Sequence, residues 1–225
     1  DFSVYTKLVL ITSGVLVLGG AILIGALEWN NPNTLGSMPV WQKILNALFQ
    51  SVTTRTAGFA AVDQAALTEG GKAASIILMF IGGSSGSTAG GIKTITVLVL
   101  FLFVLARARG KNTVSVFQRN IPQAKIMDAA TIVVLVVGLA AFGAIFITAT
   151  SPVSFTDALY ETSSALATVG LTAGVTPNLS IPAQYMIIIF MYFGRVGILT
   201  LSLGFLTGNK AKDRFHYADT NLLIG

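Results

Sequence analysis

The stretch IGGSSGSTAGGIKT, residues 81–94, interrupts an apolar run that extends over residues 72–107. As one helix that run would be roughly 50 Å long, whereas the hydrocarbon core of a bilayer is about 30 Å thick. A straight helix is therefore too long for the membrane, and the glycines let the backbone leave the helical conformation at little cost. Irregular backbone at membrane depth must face protein or an aqueous cavity. The sequence thus predicts a broken membrane span whose irregular middle faces a cavity.

The composition is that of a membrane protein. Of the 225 residues, 53% are hydrophobic and 10% are charged, whereas soluble domains carry about 25% charged residues. The chain has no cysteine and one histidine, His216, which excludes disulfides, thiolate metal sites and a histidine zinc site within one chain. Nine of the fourteen Lys and Arg lie at Lys7, within residues 107–125 or within residues 210–214. Such clusters are typical of the cytoplasmic flanks of membrane helices, so we expect a multi-pass protein in the lipid bilayer without a nucleic-acid partner.

Four long apolar spans and two shorter amphipathic segments follow one another along the chain. The long spans cover residues 6–27, 72–107, 125–148 and 183–207, and the short segments cover residues 41–52 and 155–166. The short segments cannot cross a bilayer, and each lies between two long spans. This order predicts an all-α membrane protein in which the unit helix, pore helix, filter loop, helix occurs twice in tandem.

A shift of 112 residues aligns the two units. It places Thr56 on Thr168 and Gly58 on Gly170, and no gap is needed up to the following span. Two copies of one unit are the simplest explanation. Both copies have the same orientation in the membrane, because two spans separate corresponding points. The basic flanks then lie in the cytoplasm, and the short segments and loops lie on the outer side.

The loops after the short segments read TTRTAGF, residues 53–59, and ATVGLTAG, residues 167–174. Their small and β-branched residues followed by glycine favour extended backbone, whose carbonyl oxygens can line an aqueous cavity, and the ends of the short helices add partial negative charge. Carbonyl groups suit a dehydrated monovalent cation, as in the TVGYG loops of potassium channels. Alone, either glycine also fits a turn or helix packing, whereas two loops in register favour a filter. The candidate ion ligands are Thr56, Ala57, Gly58 and Phe59 in the first loop, and Thr168, Val169, Gly170 and Leu171 in the second.

Catalytic and nucleotide-binding motifs fit the glycine-rich stretch only in part. The Gly-x-Ser-x-Gly of hydrolases and the Gly-x-Ser-Gly of intramembrane proteases need a histidine base, and His216 lies in the polar tail, so we do not expect an enzyme. The phosphate-loop pattern has its lysine one residue late and no preceding strand. A helix-packing face of small residues is an open alternative. We interpret the stretch as a flexible gate across the pore, formed by Gly82, Gly83, Ser84, Ser85, Gly86, Ser87, Thr88, Ala89, Gly90 and Gly91.

Lys93 and Arg195 are the cations within the apolar spans. Each costs about 2.5–3.5 kcal/mol at the centre of a membrane helix and must therefore face water or an acidic group. The 112-residue shift aligns Arg195 with the start of the glycine-rich stretch, so we expect it at the constriction, where a positive charge limits the passage of cations. An ion pair that only joins helices is the alternative. We expect Arg55 to point away from the axis and brace the first loop, and Asp157 and Glu161 to add negative potential at the pore mouth. Stabilisation of the helix N-terminus is the alternative for Asp157.

Four motifs together resemble the Trk/Ktr/HKT superfamily of potassium transporters. They are SVTTRTAGF at residues 51–59, FIGGSSGSTAGGIKT at 80–94, ATVGLTAGVTPN at 167–178 and MYFGRVGILTLSLGF at 191–205. The resemblance is closest to the second half of the pore subunit of bacterial Ktr systems. It implies four repeats around one pore, of which this chain holds the third and fourth, with Gly58 and Gly170 as two of the four filter glycines. It also implies an intramembrane loop at residues 82–91 and a gating role for Arg195.

The same resemblance implies the partners and the layout of the chain. The partners are the first half of the same pore, a second copy in a homodimer and a cytoplasmic ring of nucleotide-binding RCK subunits. Residues 1–110 are expected to form the third repeat, 111–124 a cytoplasmic linker, 125–208 the fourth repeat and 209–225 a cytoplasmic tail. We therefore predict K+ uptake across the bacterial plasma membrane, with Na+ as a second candidate ion and no cofactor. An ion-coupled secondary transporter with broken helices is the alternative.

Overall fold

The computed structural model describes residues 3–84, 87, 89–111, 113–117 and 119–196. Within these residues the fold is built almost entirely of helices, as predicted. The α-helices are α1 Val4–Glu28, α2 Val40–Thr53, α3 Glu69–Phe80, α4 Thr94–Ala108, α5 Gln123–Thr150, α6 Phe155–Leu166 and α7 Ile181–Val196. A 3-10 helix, Thr176–Asn178, precedes α7, and two short strands, β1 Ser115–Val116 and β2 Arg119–Asn120, lie between α4 and α5.

The helices differ in whether they can cross a bilayer. Among the described residues, α1 and α5 are long and apolar enough to do so, with 25 and 28 residues, whereas α4 and α7 are shorter apolar helices. The predicted fourth span continues to residue 207, and residues 197–207 lie outside the described part of the chain. With 14 and 12 residues, α2 and α6 are too short to span. The order of long helix, short helix, loop and further helix occurs in both halves of the chain.

The second apolar span is broken at the glycine-rich stretch, as predicted. α3 ends at Phe80 and α4 begins at Thr94. Backbone hydrogen bonds connect the two ends of the break. The N–H of Gly82 donates to the carbonyl oxygen of Ile92 at 2.9 Å, and the N–H of Ile92 donates to the carbonyl oxygen of Phe80 at 3.1 Å. The hydroxyl of Thr94 donates to the carbonyl oxygen of Gly82 at 2.9 Å. These bonds satisfy backbone groups that an interrupted helix would otherwise leave without partners at membrane depth.

Equivalent hydrogen bonds close the outer ends of the two halves. Glu28, at the end of α1, accepts from the N–H of Thr68 at 2.9 Å, and Ser151, directly after α5, accepts from the N–H of Ser180 at 2.9 Å. Thr68 and Ser180 immediately precede α3 and α7, and the 112-residue shift aligns them. Glu28 is fully buried and also accepts from the hydroxyl of Thr34 at 2.7 Å. Its carboxylate therefore joins the end of α1 to the start of α3, a role that the sequence did not reveal.

The two halves meet where α6 packs against α3. A buried cluster joins Ile76 and Met79 of α3 to Tyr160 of α6 and to Val169 and Leu171 of the second loop. Because apolar side chains from both halves share this core, the second loop lies beside α3. It therefore lies next to the break that follows α3.

The link between the halves contains an antiparallel hairpin. β1 pairs with β2 through Ser115 with Asn120 and Val116 with Arg119. Strands of two residues carry too little alternation of apolar and polar residues to be recognised in a sequence. The hairpin is therefore an addition to the predicted linker.

Candidate functional site

The two candidate filter loops share an uncommon backbone conformation. The first has φ of 72° at Thr56 and 77° at Gly58, and the aligned residues of the second, Thr168 and Gly170, have φ of 54° and 89°. The residue between the members of each pair has an ordinary negative φ. Positive φ is an outlier for a β-branched threonine and costs on the order of 1–3 kcal/mol. Such strain is concentrated at functional sites, where the surrounding structure enforces it.

The two loops lie side by side. A Cβ atom at Gly58 would overlap the carbonyl oxygen of Val169, whereas a Cβ atom at Gly170 would lie 3.8 Å from the Cα of Gly58, an ordinary contact. Position 58 therefore needs glycine for two reasons, its positive φ and the lack of space for a Cβ atom. Position 170 needs glycine because of its positive φ alone. The predicted filter residues of the first loop are thus in contact with those of the second.

The first loop is held by the last residue of α2. The hydroxyl of Thr53 donates to the carbonyl oxygen of Phe59 at 2.6 Å and accepts from the N–H of Phe59 at 2.9 Å. The carbonyl oxygen of Thr53 accepts from the N–H groups of Ala57 and Gly58 at 3.1 and 3.3 Å. Thr53 therefore binds the chain on both sides of Thr56. Within the described part of the chain, Phe59 is fixed through its backbone only, because the residue is 71% exposed.

The second loop is held differently, because Ala165 takes the place of Thr53 and has no hydroxyl. The N–H of Val169 donates to the carbonyl oxygen of Ser164 at 2.9 Å. The hydroxyl of Thr168 accepts from the N–H of Gly90 at 2.9 Å, 78 residues away along the chain. The second loop is thus held both by its short helix, α6, and by the glycine-rich stretch.

The described part of the predicted gate packs against the second loop. A Cβ atom at Gly90 would lie 2.5 Å from the hydroxyl oxygen of Thr168, and one at Gly91 would lie 3.1 Å from the Cβ of Ala167. Only residues without a side chain can approach the loop this closely. Three of the ten predicted gate residues lie outside the described residues, namely Ser85, Gly86 and Thr88.

The two intramembrane cations are near each other. The ammonium group of Lys93 donates to the carbonyl oxygen of Ala89 in the glycine-rich stretch, and the like charge of Arg195 acts on it. The two cations predicted for the gate therefore lie close enough to influence each other electrostatically. Arg55, in the first loop, donates to the hydroxyl of Thr94 at 3.3 Å, and burial lowers the pKa of its guanidinium. This bond agrees with a bracing role for Arg55.

Glu161 lies behind the second loop and is 5% exposed. Its carboxylate accepts from the hydroxyl of Thr172 at 2.5 Å, the N–H of Ala173 at 3.1 Å and the hydroxyl of Thr176 at 3.2 Å. Burial raises the pKa of this carboxyl group, and the three hydrogen bonds oppose that shift. The predicted acid at the pore mouth is therefore a buried group that holds the end of the second loop and the residues directly after it.

Several residues that support the loops were not singled out in the sequence. They are Gln50, Thr53, Gln64 and Tyr160. Gln50 and Thr53 lie on the buried side of the amphipathic helix α2, and their polar side chains on that side are the one signal that could have drawn attention to them. The partners of Gln64 and Tyr160 are too distant in sequence to be foreseen.

The chain is similar to cation transport proteins along most of its length. The family model described as TrkH, cation transport protein, matches residues 4–213. The Ktr system potassium uptake protein B of Bacillus subtilis (strain 168) is 38% identical over 226 residues, which cover 100% of this chain and 50% of that protein. For the protein of the same description from Vibrio alginolyticus, the identity is 37% over 222 residues, which cover 99% of this chain and 48% of that protein. The chain spans about half the length of the curated relatives it matches.

Two further relatives extend the comparison. The potassium/sodium uptake protein NtpJ of Enterococcus hirae is 34% identical over 228 residues, which cover 99% of this chain and 50% of that protein. Among solved structures, the potassium transporter TrkH from Vibrio parahaemolyticus superposes with a TM-score of 0.69 at 24% identity, over 88% of this chain and 43% of that one. At that identity the superposition establishes the fold.

Proposed function

This chain belongs to the TrkH family of cation transport proteins, and we propose that it forms half of a pore for K+ uptake. Its two loops supply two of the four segments of the selectivity filter. One observation carries the proposal: Thr56 with Gly58 and Thr168 with Gly170 have the same strained backbone, and the two loops touch. The relatives are transporters rather than enzymes, which agrees with a site that performs no covalent chemistry.

The backbone of the loops suits a cation. In an extended strand successive residues face opposite sides, whereas residues that alternate between positive and negative φ turn successive carbonyl groups towards one side. Two such loops side by side present their carbonyl oxygens to a common axis, where they replace the hydration shell of K+. The helix ends at Thr53 and Leu166 add the partial negative charge of their macrodipoles. K+ is the proposed substrate, and Na+ is a second one because one relative is named a potassium/sodium uptake protein.

The gate is formed by residues 82–91 together with Lys93 and Arg195. Three observations support it: the span is broken at this point, Gly90 is bonded to the second filter loop, and the like charge of Arg195 acts on Lys93. Positive charge below a cation filter opposes conduction, and a glycine-rich segment can move aside. Deleting residues 83–90 in the complete transporter should therefore raise K+ flux. An equal or lower flux at normal protein levels would argue against gating.

The remaining parts of the transporter are proposed from the relatives. Because this chain spans about half of each relative, the first and second repeats complete the pore. The four-segment layout of the chain, with repeats at 1–110 and 125–208, belongs to the same proposal. The complete transporter lies in the bacterial plasma membrane as a multi-pass homodimer, and a ring of nucleotide-binding RCK subunits docks on its cytoplasmic face. The tail proposed to reach that ring, residues 209–225, lies outside the described part of the chain.

The test is K+ uptake by bacteria that lack their own uptake systems and produce the complete transporter. Gly170→Ser places a side chain at φ 89° and should slow K+ uptake or admit Na+. Gly138→Ser is the matched control, since Gly138 on α5 has no atom within 4 Å of the position of an added Cβ. If Gly170→Ser transports like Gly138→Ser, with unchanged ion preference, the second loop is not a filter.

A further inference from the structure

We infer that one face of α6 positions the chain on the outer side of both filter loops, and that Glu161 on this face is a specificity-determining residue for the cation. The inference rests on the proposed function. The segments concerned are outer limb 1, residues 60–66, and outer limb 2, residues 172–178, which begins with the last three residues of the second loop. The face consists of Asp157, Tyr160 and Glu161; the last two follow Asp157 by three and four residues and therefore lie on the same side of the helix as Asp157.

Asp157 fixes α6 to the other half of the chain. Its carboxylate forms a salt bridge of 2.6 Å with Lys72 of α3, and the two side chains are 19% and 9% exposed. Its second oxygen accepts from the hydroxyl of Ser154 at 2.8 Å, and the same hydroxyl accepts from the N–H of Asp157 at 3.1 Å. The charge of Asp157 is thus balanced by Lys72, and the helix is held in place at its first turn.

Tyr160 reaches outer limb 1 through an uncharged network. Its hydroxyl donates to the side-chain oxygen of Gln64 at 2.8 Å. Gln64 in turn exchanges two hydrogen bonds with Gln50 of α2, at 2.5 and 3.2 Å. All three side chains are at most 3% exposed. Outer limb 1 is therefore tied to both short helices by neutral groups.

Glu161 holds outer limb 2 with a charged group. The 112-residue shift aligns Thr176 with Gln64, so the two braces act on corresponding points of the two limbs. The donors to Glu161 are two hydroxyls and one backbone N–H, and among the described residues Glu161 has no ion pair. No positive side chain among the described residues therefore neutralises Glu161, whereas Lys72 neutralises Asp157.

This difference gives the two loops different electrostatic surroundings. A carboxylate buried directly behind the second loop acts through a medium of low polarity, where its attraction for a cation is stronger than in water. Ion preference in a carbonyl filter depends on the number and field strength of the ligands. Glu161 thus contributes in two ways: its hydrogen bonds fix the shape of outer limb 2, and its charge strengthens the field on the cation.

The test compares Glu161→Gln with Glu69→Gln in the complete transporter. Glu69, at the start of α3, is exposed, so this control removes the same charge from the same side of the protein. Glu161→Gln should raise the KM for K+ on the order of tenfold and change the ratio of Rb+ to Na+ uptake, and Glu69→Gln should do neither. An unchanged KM and ratio in Glu161→Gln would overturn the specificity role.

Hydrogen exchange of the purified transporter provides a readout that is independent of transport. The N–H of Ala173 donates to Glu161, so exchange over outer limb 2 should accelerate in Glu161→Gln and stay unchanged in Glu69→Gln. Unchanged exchange in Glu161→Gln would overturn the positioning role. Should Glu161→Gln not accumulate, Thr176→Val removes one donor at an exposed position and should act in the same direction more weakly. A wild-type transporter without K+ uptake would refute the proposed function, while the exchange measurement would still decide the positioning role.

Discussion

The backbone N–H of Gly90 donates a hydrogen bond to the hydroxyl of Thr168 at 2.9 Å. This bond joins the glycine-rich break of the second span to the second candidate filter loop, and it does so at Thr168, whose φ is 54°. The conformation of the loop and the position of the break are therefore coupled. A movement of the glycine-rich stretch removes the partner of Thr168, and a change in the loop releases the stretch.

Removing this hydroxyl tests the coupling. Thr168→Val keeps the shape of the side chain and deletes a hydrogen bond worth about 1 kcal/mol. We expect the glycine-rich stretch to leave its place more often and K+ flux to rise about fivefold. Thr56→Val is the matched control, because Thr56 has the same residue type and a similar φ. Equal fluxes in the two variants would show that the bond does not restrain the stretch.

The two filter glycines should differ in their tolerance of a methyl group. A Cβ atom at Gly58 would overlap the carbonyl oxygen of Val169, whereas one at Gly170 would meet its nearest atom at 3.8 Å. Both substitutions carry the strain of positive φ, about 1–3 kcal/mol, and Gly58→Ala adds a steric clash. Thermal unfolding of the purified transporter should therefore show a lower Tm for Gly58→Ala than for Gly170→Ala. The reverse order would mean that the loops are further apart than described.

Much of the helical framework can be predicted from the sequence, because it depends on local patterns. The short segments predicted at 41–52 and 155–166 correspond to α2 and α6 within one residue at each end. The break in the second span also follows from local features, namely a run of glycines inside an apolar stretch that is too long for the bilayer. Length and composition are sufficient for such features.

The contacts that shape the candidate site could not be predicted in this way. Tyr160 and Gln64 are 96 residues apart, and Lys72 and Asp157 are 85 apart, so no periodicity connects them. The positive φ of Thr56 and Thr168 opposes the local preference of a β-branched residue, and only the surrounding fold can impose it. Aligned threonines and glycines indicated that the loops correspond, but not that they are strained.

The partly buried salt bridge between the halves should contribute more to stability than an exposed pair. Lys72→Met leaves the partly buried Asp157, whose side chain is 19% exposed, without its ion-pair partner, which should lower the free energy of unfolding by about 1–3 kcal/mol. Asp128→Asn breaks the pair with Lys125, whose nitrogen and oxygen are 3.6 Å apart and whose side chains are largely exposed, and should cost less than about 1 kcal/mol. Denaturation of the purified protein measures both. In Lys72→Met combined with Asp157→Asn, part of the loss should be recovered, since no charge remains unpaired.

The positive charges at the break should limit the passage of cations. Lys93 is bonded to the carbonyl oxygen of Ala89, and the like charge of Arg195 acts on it, so replacing either cation by glutamine removes one positive charge near the break. At an effective dielectric constant of about 20, one charge several ångströms from a passing ion changes its energy by about 1–2 kcal/mol. We therefore expect K+ flux to rise on the order of tenfold in Lys93→Gln and in Arg195→Gln. Lys111→Gln, at an exposed position beyond α4, should leave the flux unchanged, and a flux lowered in both test variants would indicate that the cations support conduction instead of opposing it.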